Sequence, residues 1–138
     1  MPAKDIYHQT VRNALEKDGW KITNDPLTIR IGKKDMYIDL GAEKLIAAEK
    51  GESKIAVEIK SFVSRSEMND LENAIGQFIV YHDALAIREP ERILFLAVTH
   101  KIYLDIFEEP LGKLLLKNQR VKLLVFEPKK EEVIKWIK

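Results

Sequence analysis

The chain has 138 residues, 46% of them hydrophobic and 33% charged, so it can bury a core and is too apolar to be disordered. Lysine and arginine total 23 against 22 aspartate and glutamate, and the resulting net charge of +1 favours no polyanionic partner unless a local basic patch exists. The sequence contains no cysteine, membrane-length apolar run or apolar signal core, which excludes disulfides and thiolate zinc sites and predicts a single cytoplasmic domain over residues 1–138.

The first half of the chain predicts one helix followed by several short strands. Apolar residues recur at helical spacing over residues 3–18, and Gly19 stands where such a helix would end. Alternating apolar residues then predict short strands at 20–22, 27–31, 36–40 and 45–48, separated by turns. These strands predict an antiparallel meander, and the order in which they pair is left open.

The second half alternates strands with helices. Residues 54–61 alternate as a strand, and residues 66–87 form the clearest helix, which Ser64 or Ser66 can cap. Its predicted buried stripe consists of Met68, Leu71, Ile75, Phe78 and Leu85. The remaining elements are strands at 93–98 and 121–126, a helix at 101–118 interrupted at Pro110, and a terminal helix at 131–138. The order predicts an α/β fold with a mixed sheet flanked by helices, including a right-handed crossover through the long helix.

Charged residues on two of these strands have the chemistry of a metal site. In the strand 54–61 the odd-numbered apolar residues face one side, so Glu58 and Lys60 share the other side. If Asp39 points to the same face of a neighbouring strand, two carboxylates and an ammonium group converge. Mg²⁺ prefers hard oxygen ligands, which Asp39, Glu58 and the backbone carbonyl of Ile59 can supply. Lys60 can then orient a water or stabilise the transition state of phosphodiester hydrolysis.

The same residues also have an ordinary structural interpretation. A Glu-x-Lys pair on one strand face is commonly a solvated ion pair, and an aspartate before Leu-Gly often only forms a turn. Hydrolysis is favoured because Val57 and Ile59 place the strand near the sheet centre, where a spare charged pair is harder to explain. The long helix that follows also carries Gln77 and Tyr81 four residues apart on one face, where both can lean toward the metal.

Taken together, these residues resemble the PD-(D/E)XK nuclease superfamily, in its branch with a Gln-x-x-x-Tyr helix. The matching positions are Asp39, then Glu58, Ile59 and Lys60, then Gln77 and Tyr81 on the following helix. More closely, the whole chain is similar to the XisH family, the fdxN element excision controlling factors of cyanobacteria. The stretches that carry this likeness are 17–20 (KDGW), 24–27 (NDPL), 38–43 (IDLGAE), 54–62 (KIAVEIKSF) and 74–85 (AIGQFIVYHDAL).

Each resemblance implies a function. The superfamily implies a restriction-endonuclease-like core and Mg²⁺- or Mn²⁺-dependent cleavage of DNA through Asp39, Glu58 and Lys60. The family implies excision of a DNA element, controlled beside a site-specific recombinase and a partner called XisI. One departure is Ile38, which stands where the superfamily motif has proline. A controlling factor also need not cut DNA, so a non-catalytic module that binds DNA or an XisI-like protein is the alternative.

The resemblance also directs attention to the first helix, because an additional ligand from that helix is common in the superfamily. His8 and Glu16 are the candidates in this chain. His8 lies near the predicted buried stripe, where a histidine at the margin of the core is the alternative. Glu16 lies on the predicted outer face of the helix.

Contact with DNA or with other proteins requires local surfaces. Two loops next to the strands of Asp39 and Glu58 carry basic residues. Lys33 and Lys34 precede the Asp39 strand, and Arg65 follows the Glu58 strand. These residues either reach DNA phosphates or are solvated loop charges. A homodimer or a hetero-complex would supply the basic surface that a net charge of +1 does not. The apolar pair Trp136 and Ile137 is one candidate for such a contact.

Overall fold

The structure, a computed structural model, describes residues 4–47 and 51–138 and has the predicted mixed fold of strands and helices. In chain order its elements are α1 (His8–Lys17), β1 (Lys21–Asn24), β2 (Leu27–Ile31), β3 (Lys34–Ile38), β4 (Leu40–Ala47), β5 (Gly51–Ile59), α2 (Glu67–Arg88), β6 (Arg92–Thr99), α3 (His100–Ile102), a π-helix (Tyr103–Phe107), α4 (Pro110–Lys117), β7 (Leu123–Glu127) and β8 (Glu132–Ile137). Within the described ranges, no helix combines the length and the apolar character needed to cross a membrane.

Six strands form one mixed sheet, and β2 and β3 form a separate antiparallel hairpin. The order in the large sheet is β1-β4-β5-β6-β7-β8, with β5, β6 and β7 parallel and the outer pairs antiparallel. The connection from β5 to β6 runs through α2, as the parallel pairing of those strands requires. The pairing order that the sequence left open is therefore determined, and it places the start of β4 beside the end of β5.

Hydrophobic clusters cover the two faces of the large sheet. One cluster packs α2 against residues such as Ala56, and the other packs α1 against Ile55 and Val57. Because successive side chains of a strand point to opposite faces, Glu58 lies on the same face as Ala56, beneath α2. The alternation predicted for this strand therefore places the candidate glutamate under the long helix.

The long helix α2 confirms the prediction of a helix at 66–87. It begins at Glu67, and the Ser66 hydroxyl accepts a hydrogen bond from the Asn69 N–H, as an N-cap residue does. Most of the predicted stripe is buried or half-buried, but Met68 is 51% exposed. Met68 lines a surface groove together with residues of the π-helix and α4 instead of lying in the core.

The prediction of a terminal helix at 131–138 is wrong, because this segment forms the edge strand β8. Its apolar residues fit a helical repeat, but pairing with β7 adds a strand to the sheet and half-buries Val133, Trp136 and Ile137, while Ile134 stays exposed. Trp136 packs against Trp20 and Phe95, with ring centroids 5.7 and 4.8 Å away. Trp136 and Ile137 therefore pack against the cores of their own chain.

The helical segment predicted at 101–118 is interrupted near Pro110, as expected, and also contains a π-helix. Helix α4 starts at Pro110 and crosses the π-helix at Gly112, which is buried. A Cβ atom on Gly112 would lie 2.1 Å from the Ile106 carbonyl oxygen and 2.5 Å from the Phe107 Cα. Only glycine permits this approach of two backbones.

Replacing Gly112 with alanine should therefore destabilise the fold. The added methyl group meets backbone atoms that cannot move without shifting α4, so we expect a loss of about 1–3 kcal/mol in the free energy of unfolding. Urea denaturation measures the change. Gly76→Ala is the matched control, because Gly76 is an exposed helical glycine with no atom within 4 Å of the added Cβ. That variant should gain about 0.5–1 kcal/mol, and equal stability of the two variants would contradict the packing argument.

Candidate functional site

The candidate site forms where β5 ends beside the junction of β3 and β4. The sequence predicted that Asp39 lies within a strand over 36–40. In the structure Asp39 lies at a bend between two sheets instead. Strand β3 pairs in the hairpin and β4 starts in the large sheet at Leu40, opposite Val57. The bend therefore brings Asp39 beside Glu58, and its side chain is free to turn toward the end of β5.

Two hydrogen bonds hold Asp39 against β5. The Oδ2 atom of Asp39 accepts the Ile59 N–H at 2.7 Å, and the Asp39 N–H donates to the Oε1 atom of Glu58 at 3.3 Å. The two carboxyl groups are also close enough for a proton on one to be donated to the other. The structure thus brings together two acidic residues that are 19 positions apart in the chain.

Both carboxyl groups lie in surroundings that disfavour their charged forms. Burial, followed by the negative charge of Asp39, raises the pKa of Glu58 to about 9. Burial likewise raises the pKa of Asp39, although the hydrogen bond from Ile59 opposes this rise. Two acids that are held together away from water repel each other, and a bound cation relieves that repulsion. Perturbed carboxyl groups of this kind are typical of functional sites.

Lys60 and Tyr81 approach these carboxyl groups from two different elements. Lys60 directly follows β5, and its ammonium charge opposes the rise in the pKa of Glu58. Tyr81 lies on α2, where burial and then the charges of Glu58 and Asp39 raise the pKa of its hydroxyl to about 12. Gln77, one turn earlier, is exposed and makes no side-chain hydrogen bond within the described residues. Of the predicted pair, Tyr81 therefore lies at the site, whereas Gln77 lies in solvent.

The N-terminal end of α1 also lies at the site. The Nε2 atom of His8 is 2.7 Å from Asp25 Oδ1, while Arg12 binds the other oxygen of Asp25 at 2.6 Å. The charge of His8 acts on Asp39, where it opposes the rise in pKa caused by burial. The Nδ1 atom of His8 is buried and has no hydrogen-bond partner in the described part of the chain. Glu16, the other candidate on this helix, is exposed more than two turns away.

Two acidic residues that the sequence analysis did not select help to build this arrangement. The carboxylate of Asp5 accepts the Ser61 N–H at 3.0 Å and so ties the start of α1 to the segment after Lys60. Asp25, predicted only as part of a turn, positions His8. The partners of these residues are 56 and 17 positions away, so no local pattern could identify them.

The predicted DNA-contacting residues are exposed on the two chain segments that lead to and from the site. Lys33 and Lys34 are exposed at the tip of the β2–β3 hairpin, whose β3 strand leads directly to Asp39. A strand rises about 3.3 Å per residue, so Lys34 lies roughly 17 Å from Asp39 along the hairpin. Arg65 is exposed in the connection between β5 and α2. Lys33 and Lys34 therefore lie at the end of the hairpin far from Asp39, and Arg65 lies on the segment that leaves the site after β5.

The donor atoms fit a hard divalent cation. The N–H and C=O of a residue in an extended strand point to the same side, so the Ile59 carbonyl points toward Asp39, which accepts its N–H. One oxygen of each carboxylate accepts no N–H from the described residues. Within the same residues, no three histidine or acidic side chains are arranged to hold an ion on their own. Two carboxylates and a carbonyl suit Mg²⁺, which keeps several waters, better than Zn²⁺, which takes more protein ligands.

Comparison with known proteins identifies similar sequences and structures. The family model described as XisH protein matches residues 1–134. A crystal structure of an XisH family protein from Nostoc punctiforme PCC 73102 is 42% identical, with a TM-score of 0.87 over 97% of this chain and 100% of that chain. A crystal structure of an fdxN element excision controlling factor protein from Anabaena variabilis is 40% identical, with a TM-score of 0.87 over 98% and 100%. No curated protein matches the chain.

Replacing Glu58 with glutamine should stabilise the metal-free protein above neutral pH. The pKa of Glu58 rises from 4.5 to about 9 on folding, so the folded state binds more protons and wild-type stability falls as the pH rises through this range. Glutamine does not titrate, and we expect the variant to be about 1–3 kcal/mol more stable than the wild type near pH 8.

Urea unfolding in EDTA at about pH 5 and about pH 8 measures this difference. The matched control is Glu72→Gln, which alters an exposed glutamate on α2 and should leave the pH dependence of the wild type unchanged. If Glu58→Gln follows the same pH dependence as the wild type, the carboxyl group is not desolvated as described.

Proposed function

Because the chain belongs to the XisH family, we propose that it controls the excision of a DNA element and acts there as a metal-dependent DNA endonuclease. The relative from Anabaena variabilis is described as an fdxN element excision controlling factor. The observation that carries the nuclease proposal is the contact of two half-buried carboxyl groups, Asp39 and Glu58, beside Lys60. If Glu58 and Lys60 formed only a solvated ion pair, nothing would hold a second acid with a raised pKa against Glu58. The Asp39–Glu58 contact therefore favours a functional site over that interpretation.

Asp39, Glu58 and the Ile59 carbonyl would hold Mg²⁺, or Mn²⁺ in its place. When bound, such an ion stabilises charge on a phosphate oxygen and lowers the pKa of a coordinated water. His8 is the better first-helix candidate, because its ring acts on Asp39 while Glu16 is exposed far from it. Since His8 and the two carboxylates do not form a three-ligand cluster, its buried Nδ1 would hold a water at the site.

The other site residues act on the phosphate and on the attacking water. Lys60 either orients that water or stabilises the negative charge of the pentacovalent transition state. The high pKa of Tyr81 keeps its hydroxyl protonated, so that it donates a hydrogen bond to a phosphate oxygen or to Glu58. Gln77 is exposed one turn away on α2, where its amide is free to contact DNA.

Duplex DNA is the proposed substrate, and the exposed basic residues on both sides of the site would bind its phosphates. Lys33 and Lys34 would contact the backbone about five base pairs from the cleaved bond, since base pairs are spaced by about 3.4 Å. Arg65 would contact it on the other side. The net charge of +1 makes tight binding to DNA by this chain alone unexpected. An XisI-like protein or a site-specific recombinase would then supply the remaining affinity.

A non-catalytic role in excision is the alternative, and the small net charge is the observation that favours it. In that role the chain uses the same fold to bind DNA or an XisI-like protein and regulates a recombinase. The two functions differ in what they require of Lys60, because binding through a surface does not depend on a half-buried lysine at the end of β5.

The Lys60→Met variant should lose DNA cleavage while it keeps its affinity for metal. Because the lysine acts on the transition state and not on the ion, we expect nicking of a supercoiled plasmid in Mn²⁺ to fall at least about 100-fold. Calorimetric titration with Mn²⁺ should give wild-type affinity for this variant and a weaker affinity for Glu58→Gln.

Lys54→Met is the matched control for that experiment. Lys54 lies on the same strand and the same face, where its ammonium lies 3.7 Å from Glu43, so its removal should leave cleavage unchanged. An excision assay in cells then separates the two functions. Excision that persists in Lys60→Met, with no nicking by the purified wild type, would establish the regulatory role and refute the enzymatic one.

A double variant, Lys33→Gln with Lys34→Gln, should bind duplex DNA more weakly. Each lost phosphate contact should reduce the slope of log affinity against log salt by about one, so we expect a decrease of about two. Fluorescence anisotropy with a short duplex in EDTA measures binding without cleavage. The control is Lys129→Gln with Lys130→Gln, two exposed lysines between β7 and β8 near the far end of α1. Equal slopes for the two double variants would exclude the hairpin from the DNA interface.

A further inference from the structure

A groove between α2 and α4 forms an apolar surface that the candidate site does not use. Its floor includes Leu71, which is buried, and its edges are formed by Met68 and Leu111, which are 51% and 43% exposed. The groove encloses about 300 Å³. Half-exposed large apolar side chains around a concave surface are typical of a binding site for another protein.

The π-helix and α4 are in direct backbone contact beside the groove. One wall contains Ile106 of the π-helix. Helices of this type are rare and are frequently found at functional sites. Gly112 allows the backbone of α4 to lie directly against this π-helix, which fixes Leu111 beside it. The groove is therefore formed by this chain alone, without a partner.

Charges are distributed unevenly along this surface. Glu67 and Glu109 line the groove, and neither makes an ion pair within the described residues, whereas Asp105 is bound by Lys101 at 2.6 Å. At the opposite end of α4, Lys117 and Arg120 are exposed and have no acidic partner in the same part of the chain. Within the described residues, α4 thus begins at an unpaired acid, Glu109, and ends at an unpaired base, Lys117.

An exposed apolar stripe connects these two ends. Leu111 and Leu114 are three residues apart and so lie on the same face of α4, and Leu114 is 51% exposed. Lys117 follows after another three residues. The exposed stripe of α4 therefore runs from Glu109 through Leu111 and Leu114 to Lys117, and an antiparallel copy places each end of the stripe against the opposite charge.

We propose that this surface is the interface between two copies of this chain, with the α4 helices antiparallel about a two-fold axis. Leu114 of each copy enters the groove of the other between Met68 and Leu111. Lys117 and Arg120 of each copy then lie over the acidic rim of the other, and the two-fold axis repeats each contact, as a self-complementary interface requires. A parallel arrangement would place like charges together, which disfavours it.

Sedimentation velocity of the purified chain over a range of concentrations tests this proposal. The wild type should dimerise, and Leu114→Asp should weaken dimerisation at least tenfold, because it places a carboxylate in an apolar, acidic groove. Ile87→Asp is the matched control, since Ile87 is 67% exposed on α2 outside the groove, and it should dimerise like the wild type. Thermal melting of each variant confirms that it is folded.

A charge exchange tests the antiparallel register. Lys117→Glu should weaken the dimer, and adding Glu109→Lys in the same chain should restore it at least in part, while Glu109→Lys alone should weaken it. A wild type that stays monomeric at every concentration would overturn the proposal. That result is expected if the groove binds a different protein. A dimer that Leu114→Asp does not affect would overturn it as well, by placing the interface elsewhere.

Discussion

The hydrogen bond from the Ile59 N–H to Asp39 Oδ2 is the contact on which the candidate site depends. It joins the last residue of the central strand β5 to the one residue at which the chain passes from the hairpin into the large sheet. The Asp39 N–H completes this connection by donating to Glu58. Backbone geometry, not side-chain flexibility, therefore determines where the first carboxylate lies and which way the Ile59 carbonyl points.

This arrangement places electrostatic repulsion inside a well-packed scaffold. The Asp39–Glu58 pair disfavours the folded state when both groups are charged, while hydrophobic clusters on both faces of the sheet stabilise that state. Lys60 brings positive charge to this place from the end of β5, and the His8 ring approaches it from α1. The fold thus holds in position a group of charges that would separate in a flexible chain, and such preorganisation is what a cation or phosphate site requires.

Local sequence patterns predicted the parts of the structure that depend on near neighbours. Alternation placed Glu58 on the face of β5 beneath α2, and Ser66, one of the two candidate caps, begins α2. The same reasoning failed for β8, because its apolar residues fit two repeats and only pairing with β7 decides between them. It could not find the Asp25 contact with His8 or the bend at Asp39, since these depend on how distant segments meet.

The one-residue joint between the hairpin and the large sheet limits how this chain can vary in length during evolution. An insertion or deletion beside Asp39 would shift the register of β4 by one and exchange the faces of all its side chains, Leu40 and Ala42 included. The hairpin tip does not restrict length in this way, because Gly32 is exposed and no atom lies within 4 Å of a Cβ built on it, although its φ of +59° favours glycine at that position. Lineages can therefore lengthen the tip while the joint keeps its size.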